Sequence, residues 1–341
     1  MTAAQVKNPH RPRLFLTHPP EARAHWYGEA AMAALRALGE LVVNPKDRVL
    51  EAPELIAAAA DCTVIVADRQ TPGYGAIFAA LPRLIAFSRV AVDIRNVDVA
   101  AASAAGVLVT RASPGFQAAV AEWIVGAMVM AARHSHGYVS GFRSGVQPPP
   151  IMGRQLRGST VGIVGYGAIG AHLAPIAHAI GMRVLVCDPY KRVDPPYSRV
   201  GLDRLLSDAD FVVPLAVANA ETENLIDARA LAVMKSTAWL INAGRGNLID
   251  EDALEAALDA GRIAGAVLDV GRAPDQMPSL RLAGRKDVLA TPHIGGLTPE
   301  AIAHQAMETT RQAAAILSGQ IPEGAVNADH AARFRHFKDR R

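Results

Sequence analysis

Apolar runs and helix-spaced apolar positions alternate along most of this chain. Leu14–Leu16, Val64–Val66, Leu84–Phe87 and Val107–Thr110 are short apolar runs that predict strands. Between them, Ala30–Leu38 repeats apolar residues at helical spacing and stops at Gly39, which predicts a helix. Together these describe a small α/β unit. Ala118–Ala132 (AAVAEWIVGAMVMAA) is apolar almost throughout, which predicts a helix suited to packing between domains or subunits and too short to span a membrane. Gly141–Gly153, with Pro148, Pro149 and Pro150 in succession, predicts a loop.

From Thr160 the rhythm becomes regular. Strands are predicted at Thr160–Val164, Arg183–Cys187, Asp210–Val213, Ala238–Ile241, Ile263–Leu268 and Val288–Ala290, with helix-like runs between most of them. Asp250–Ala260 starts acidic and meets Gly261 just past its end, as a helix dipole and C-cap prefer. A last helix opens with Thr298 and Pro299 and runs to Leu317. Six strands alternating with helices imply a doubly wound parallel sheet.

Composition narrows the picture. The 341 residues suggest about two domains, and 50% hydrophobic with 20% charged residues fits a folded chain. Cys62 and Cys187 are the only cysteines, which excludes a disulfide framework and fits a reducing compartment, the cytoplasm. The net charge of +3 and pI near 9.0 trace to the two ends. Lys7, Arg11 and Arg13 stand near the N-terminus without an acid, and Arg333, Arg335, Lys338, Arg340 and Arg341 near the C-terminus face only Asp339. Both ends read as mobile basic tails on a net acidic body, so no nucleic-acid groove is expected. Ser159–Met182 has no Asp, Glu, Lys or Arg, but its glycines, Pro175 and two histidines fit a buried strand, turn and helix, not a membrane span. No signal peptide is visible, and His134 and His136, two apart, make a poor metal pair.

The turn in that stretch carries the strongest local signal, Gly165-Tyr166-Gly167-Ala168-Ile169-Gly170. It follows an apolar strand, opens a helix, and leads to a second strand ending in Asp188, 18 residues past Gly170. In this context Gly165 permits the tight turn, Gly167 lets backbone approach a pyrophosphate, and Gly170 lets helix and strand pack closely. Ala168, Ile169 and Gly170 bring their amides to the helix N-terminus, where phosphate is favoured. Asp188 accepts from a ribose diol and repels a 2′-phosphate, which favours NAD over NADP; Lys191 and Arg192 close behind soften that preference. The competing reading is a glycine-rich turn beside an ordinary loop aspartate.

Three further polar residues follow predicted strands: Arg245, Asp269 and His293. In an open parallel sheet these positions lie at the carboxyl edge, where ligands bind. A guanidinium grips a carboxylate bidentately, and an imidazole donates the proton a reduced carbonyl needs. That combination describes a 2-hydroxy acid dehydrogenase.

The chain resembles the NAD-dependent D-isomer-specific 2-hydroxyacid dehydrogenases from about Leu81 to Asn327. The motifs are the glycine turn with its preceding strand, Leu240-Ile-Asn-Ala-Gly-Arg-Gly246, Leu268-Asp-Val270 and Thr291-Pro-His-Ile-Gly-Gly296. Asn96-Val97-Asp98 and Val120-Ala121-Glu122 resemble the family's landmarks in the first domain. The resemblance implies two Rossmann-like α/β domains. Residues 115–298 would form the NAD-binding domain, inserted into a smaller flavodoxin-like substrate domain of residues 1–114 and 299–341. It implies that Arg245 binds the substrate carboxylate and polarises the keto oxygen, that His293 is the acid/base, and that Asp269 accepts from the nicotinamide amide. Ala243 and Gly296 join the cofactor-binding set. Backbone amides near Ala91 and Val92 would hold the carboxylate from the other side, and the helix Ala118–Ala132 would sit in a homodimer interface. Glyoxylate, hydroxypyruvate, pyruvate-like acids and 3-phosphoglycerate all fit Arg245 with His293, and Arg69 is the further cation to watch for a phosphorylated substrate. No membrane partner and no metal are implied.

Three departures stand out. The family's acid partner of the histidine, five residues after Asp269, reads Pro274, leaving Asp275 as the nearest carboxylate for the triad. The usual Gly-Val-Gly of the carboxylate loop reads Ala91-Val92-Asp93, and the segment lining the adenosine pocket reads Leu215-Ala-Val-Ala-Asn219. The alternative function is an NAD(H)-sensing protein of the corepressor type on the same fold, in which the nucleotide gates partner binding.

Overall fold

The chain forms two parallel sheets, each wrapped by helices, in a computed structural model that describes residues 11–339. The first sheet is built from β1 (Arg13–Leu16), β2 (Glu40–Val43), β3 (Val64–Ala67), β4 (Ala86–Arg89) and β5 (Leu108–Arg111). Its helices are α1 (Pro20–Trp26), α2 (Glu29–Leu38), α3 (Ala52–Ala58), α4 (Gly75–Ala80) and α5 (Val99–Ala104). The second part begins with α6 (Gln117–Ala132) and α7 (Ser135–Arg143), then β6 (Thr160–Val164), α8 (Ala168–Ile180), β7 (Arg183–Cys187) and β8 (Ser198–Arg199). It continues with α9 (Leu202–Asp208), β9 (Phe211–Pro214), α10 (Ala228–Val233), β10 (Trp239–Asn242) and α11 (Glu251–Asp259). β11 (Gly265–Leu268), α12 (Leu280–Ala283) and β12 (Val288–Ala290) complete it. The chain ends in α13 (Pro299–Leu317) and α14 (Ala332–Asp339). It divides into two compact units, one running to Gly115 and resuming at Pro299, the other Phe116–Thr298.

In the first unit the strand order is β2-β1-β3-β4-β5, all parallel, the flavodoxin-like order. β3 and β4 are buried at every position, as strands covered by helices on both faces must be. The chain leaves this unit after Ser113 and re-enters at α13, and the two places are pinned together. Glu308 of α13 accepts from the Ser113 backbone amide at 2.8 Å and hydroxyl at 2.6 Å. His304 Nε2 lies 3.0 Å from the same hydroxyl. The C-terminal basic segment departs from the mobile tail expected of it. Residues 332–339 form α14, Phe334 is 1% exposed, and Arg333 donates to the Leu81 carbonyl at 2.7 Å. The spacing of Phe334 and Phe337 buries one side of a segment whose charges stay on the other. Of the N-terminal basic residues, Lys7 lies outside the described residues, while Arg13 opens β1.

In the second unit the order is β12-β11-β10-β9-β6-β7-β8, again parallel, with the sequence order reversing between β6 and β9. Residues of β6, β9, β10 and β11 are buried throughout. α6 and α8 cover one face of this sheet through Ile124, Met128, Leu173 and Ala177; α9, α10 and α11 cover the other through Leu205, Leu231 and Leu254. α7 extends into the stretch from Gly141 that the sequence marks as loop, ending at Arg143. Among the described residues no helix is long and apolar enough to cross a membrane.

Candidate active site

The glycine turn sits at the β6–β9 reversal of the second sheet, where the carboxyl ends of parallel strands open a crevice. Gly165 has φ +100, and a Cβ there would lie 2.5 Å from the Ala216 amide nitrogen, so no other residue fits. A Cβ on Gly170 would lie 2.5 Å from the Gly165 carbonyl oxygen. Gly167, the N-cap of α8, has nothing within 4 Å of a Cβ position and so faces open space. The first helical bond of α8 runs from the Ala171 amide to the Gly167 carbonyl, so the Ala168, Ile169 and Gly170 amides precede it. A cradle lined by helix-start amides, with no side chain at Gly167, fits a dinucleotide pyrophosphate.

Asp188, just past β7, is fastened to this turn. Its carboxylate accepts from the backbone amides of Tyr166 at 2.7 Å, Tyr190 at 2.8 Å and Lys191 at 2.9 Å. Burial alone would raise this carboxyl, but those three amides and the Lys191 charge hold it below the ordinary carboxylate range. The group therefore stays ionised and keeps acceptor capacity for a ribose diol. Arg192 is engaged by Asp194 at 2.6 Å, which weakens the case for its attracting a 2′-phosphate.

β10, β11 and β12 are neighbours, with Asn242 opposite Leu268 and Leu268 opposite Ala290. Arg245, Asp269 and His293 thus leave adjacent strands at one edge, and two strand spacings amount to ~10 Å. Asn242, 1% exposed, shapes the first loop: its amide donates to the Arg245 carbonyl at 2.9 Å and its oxygen accepts from the Gly244 amide at 3.0 Å. That loop carries the buried Ala243 and the half-buried Arg245, whose Nη1 donates to the Gly244 carbonyl at 2.8 Å. Asp269 is 2% exposed, and its carboxylate accepts from the Thr291 hydroxyl at 2.6 Å and the Ile294 and Gly295 amides at 2.8 and 2.7 Å. Its observed work is to fasten the His293 loop; the fourth acceptor position of a carboxylate is what a nicotinamide amide would use. Gly296 ends this loop against Phe116.

His293 has φ 57, a left-handed conformation, and its amide donates to the Asp269 carbonyl at 3.0 Å. Its Nδ1 lies 2.9 Å from the backbone carbonyl of Asp275. Asp275 therefore does stand beside the imidazole, and the contact at Nδ1 runs through its main chain. The loop that brings it there closes on itself, the Gly271 amide donating to the Gln276 carbonyl at 2.9 Å and the Ala273 amide to the Met277 carbonyl at 3.1 Å. Arg272 anchors this hairpin. Its guanidinium bonds Glu223 at 2.8 Å, the Asn224 side chain at 2.5 Å, and the carbonyls of Asn247 and Ile249 at 3.2 and 3.1 Å. Asn242 lies within the Leu240–Gly246 motif and acts by local contacts, whereas Arg272 is marked by no motif and acts by contacts that only the fold creates.

The remaining candidates belong to the first unit, at the carboxyl edge of its own sheet. Arg69 is exposed after β3, its carbonyl accepting from the Asn96 amide at 3.3 Å. Ala91 is buried and Val92 half-buried after β4. Asp93, where the family carries glycine, is covered by Arg95, whose Nη2 lies 2.6 Å from the carboxylate. Beneath both loops is Arg89, fully buried, which bonds the Asp68 carbonyl and the Asn96 side chain. Burial pushes its guanidinium down to about 10.

Comparison with known proteins places this geometry. Residues 125–295 match the family model described as D-isomer specific 2-hydroxyacid dehydrogenase, NAD binding domain. The chain is 38% identical over 244 residues to a D-3-phosphoglycerate dehydrogenase of Synechocystis, covering 70% of this chain and 44% of that protein. It is 31% identical to a glyoxylate reductase of Thermococcus gammatolerans, covering 94% of this chain and 97% of the relative. A solved glyoxylate reductase structure from Paecilomyes thermophila superposes with TM-score 0.78 at 25% identity, over 94% of this chain and 99% of that one. The chain spans about half the length of the phosphoglycerate dehydrogenases it matches. The glycine turn, its acid partner and the three loops at the sheet edge are thus those of an NAD-binding domain, and the chain belongs to the D-isomer-specific 2-hydroxyacid dehydrogenase family.

Proposed function

We propose that the protein interconverts a small 2-oxo acid and its D-2-hydroxy acid with NAD(H). The observation that carries this is the placement of Arg245 and His293 on loops either side of β11, at the sheet edge that holds the glycine turn. The Gly167–Gly170 amides hold the pyrophosphate, Asp188 the adenosine ribose, and Asp269 the nicotinamide amide. NADH, when bound, supplies the hydride. Arg245 grips the substrate carboxylate and draws charge toward the keto oxygen. His293 donates its proton as that oxygen becomes an alkoxide, and takes it back in the oxidation direction. The first unit serves as the substrate domain, with Ala91 and Val92 on the loop after β4 and Arg69 on the loop after β3 as its candidate substrate contacts.

The relatives named above act, by their names, on glyoxylate and 3-phosphoglycerate, which sets the size range for the substrate. They are dehydrogenases and reductases, and nothing in them favours the NAD(H)-sensing reading. NADH oxidation measured across glyoxylate, hydroxypyruvate, pyruvate and 3-phosphohydroxypyruvate tests the proposal. Turnover of at least one supports it. An enzyme that binds NADH and turns over none of these or larger 2-oxo acids is not a dehydrogenase of this kind.

A homodimer belongs to the same reading. α6 is apolar almost throughout, and Val129, Val139, Phe142, Val146, Ile151 and Met152 remain exposed on it and on the segment that follows. Exposed apolar side chains on this one segment support an association surface, and sedimentation of the parent against Phe142→Glu checks it. The free Cys62 and Cys187 fit a reducing compartment such as the cytoplasm.

A further inference from the structure

The acid position of the expected triad is Pro274, yet the His293 ring is not left without an orienting contact. We propose that the main-chain carbonyl of Asp275, not a carboxylate, fixes His293 for proton transfer, an inference that rests on the dehydrogenase reading above. A carbonyl oxygen carries no hydrogen, so Nδ1 is the donor across the 2.9 Å contact and the neutral ring is the Nδ1–H tautomer. Nε2 is then the nitrogen that gains and gives up the catalytic proton.

A backbone contact positions a ring only if the backbone is itself held. Asp275 and Gln276 are both left-handed, each with φ 58, and His293 has φ 57. Such conformations are sparsely populated for residues other than glycine and persist where the surroundings over-determine them. Here they are over-determined twice. On the Asp275 side, the hairpin is closed by two backbone hydrogen bonds, Glu251 accepts from the Arg272 amide at 3.0 Å, and the Arg272 guanidinium spans to the residues after Arg245. On the His293 side, the Asp269 carboxylate takes three hydrogen bonds from residues 291–295. Two independently anchored loops therefore meet at one hydrogen bond, and Arg272 and Asp269 are positioning residues for the imidazole.

The substitution of a dipole for a charge has a consequence. A carboxylate at Nδ1 favours the imidazolium by a full charge, whereas a carbonyl does so only by its dipole. The charged groups on the elements around the ring are Asp269 beneath its loop, Arg245 on the loop after β10, and the Asp275 side chain. If orientation comes from the carbonyl, removing the Asp275 charge leaves the tautomer of the ring in place.

The test combines a spectroscopic and a kinetic arm on the full chain. Nitrogen chemical shifts of ¹⁵N-histidine-labelled protein with NAD⁺ bound, assigned by comparison with His293→Gln, report which ring nitrogen is protonated in the neutral ring. The expected result is a protonated Nδ1. Asp275→Asn, which keeps the main-chain carbonyl, should show the same protonated nitrogen as the parent. Asp275→Pro cannot adopt φ 58 and displaces the carbonyl. It should lower kcat by about 10- to 100-fold, less than the about 10²–10⁴-fold of losing an acid/base group, with NADH affinity retained as the sign of a folded site. An Nε2–H ring in the parent, or a change of protonated nitrogen in Asp275→Asn, overturns the proposal. Absence of turnover with every 2-oxo acid would instead overturn the dehydrogenase reading, while the tautomer is still read.

Discussion

Gly246 and Gly271 meet backbone to backbone: a Cβ on Gly246 would lie 2.1 Å from the Gly271 carbonyl oxygen. The loop that carries Arg245 and the hairpin that carries Asp275 are therefore packed without a side chain between them. Gly246→Ala must push them apart. The expected cost is about 1–3 kcal/mol of stability, the usual range for overpacking. The expected kinetic signature is a fall in kcat for the 2-oxo acid with NADH binding intact. Urea denaturation and steady-state kinetics on one preparation measure both.

Asp188 is expected to set both affinity and cofactor choice. Hydrogen bonds to a charged group contribute about 1.5–3 kcal/mol, so Asp188→Ala should weaken NAD by roughly 10- to 100-fold. It should also narrow the gap between NAD and NADP, since the repelling charge is gone. Titration of both nucleotides by fluorescence decides it, and unchanged affinity for both would remove Asp188 from the nucleotide site.

Arg245 and His293 are expected to fail differently. Arg245 holds a carboxylate in ground state and transition state and polarises the reacting carbonyl, so its loss should raise KM and lower kcat together. Lysine should rescue poorly, because an ammonium lacks the planar two-point grip. His293→Ala should lower kcat by about 10²–10⁴-fold with a smaller change in KM. Full activity of the His293→Ala protein would refute the proton-transfer role.

A pH effect on stability is expected from His18, buried after β1 beside Tyr27. Burial pushes its imidazole down to about 4, against the opposing pull of Asp68 and with Arg23 and Arg89 acting in the same direction as burial. The unfolded chain takes up this proton near 6.5 and the folded one does not until about 4. The stability is therefore complete above about 6.5 and is lost as pH falls through that window, to the extent of about 3 kcal/mol. Urea midpoints at pH 7.5, 6.0 and 5.0 should decline in the parent and decline less in His18→Gln.

How much of this was legible in the sequence depends on where the signal resides. Val64–Ala67 and Thr160–Val164 are buried on both faces, so their apolar runs declare them as strands. The edge strands β2 and β8 escape the pattern, because β2 is only half-buried and the two residues of β8 are exposed. α7 contains Gly137 and Gly141, poor helix formers, and only its last three residues fall in the stretch that the sequence marks as loop. α14 is disguised by its charges, though Phe334 and Phe337 three apart carry the amphipathic trace. At the candidate site, the glycine turn, Asp188, Arg245 and His293 stand in short contiguous motifs. Arg272 does not, since its partners Glu223, Asn224, Asn247 and Ile249 lie 23 to 49 positions away. Arg89 is a lone cation in a strand, and only its burial shows that it joins two loops.

The pin between Ser113 and His304, 191 positions apart, makes the second unit a detachable cassette as far as the first is concerned. A chain that departs and returns at one spot can carry an excursion of almost any length, because each doubling of a loop adds only about 0.6 kcal/mol of closure entropy. All five strands of the first sheet, together with α13 and α14, lie outside Phe116–Thr298. A short glycine-serine bridge in place of that excursion should yield a stand-alone flavodoxin-like domain with Glu308 still seated on the Ser113 amide. By the same logic, a different nucleotide-binding body could be spliced between the same two residues without redesigning its host.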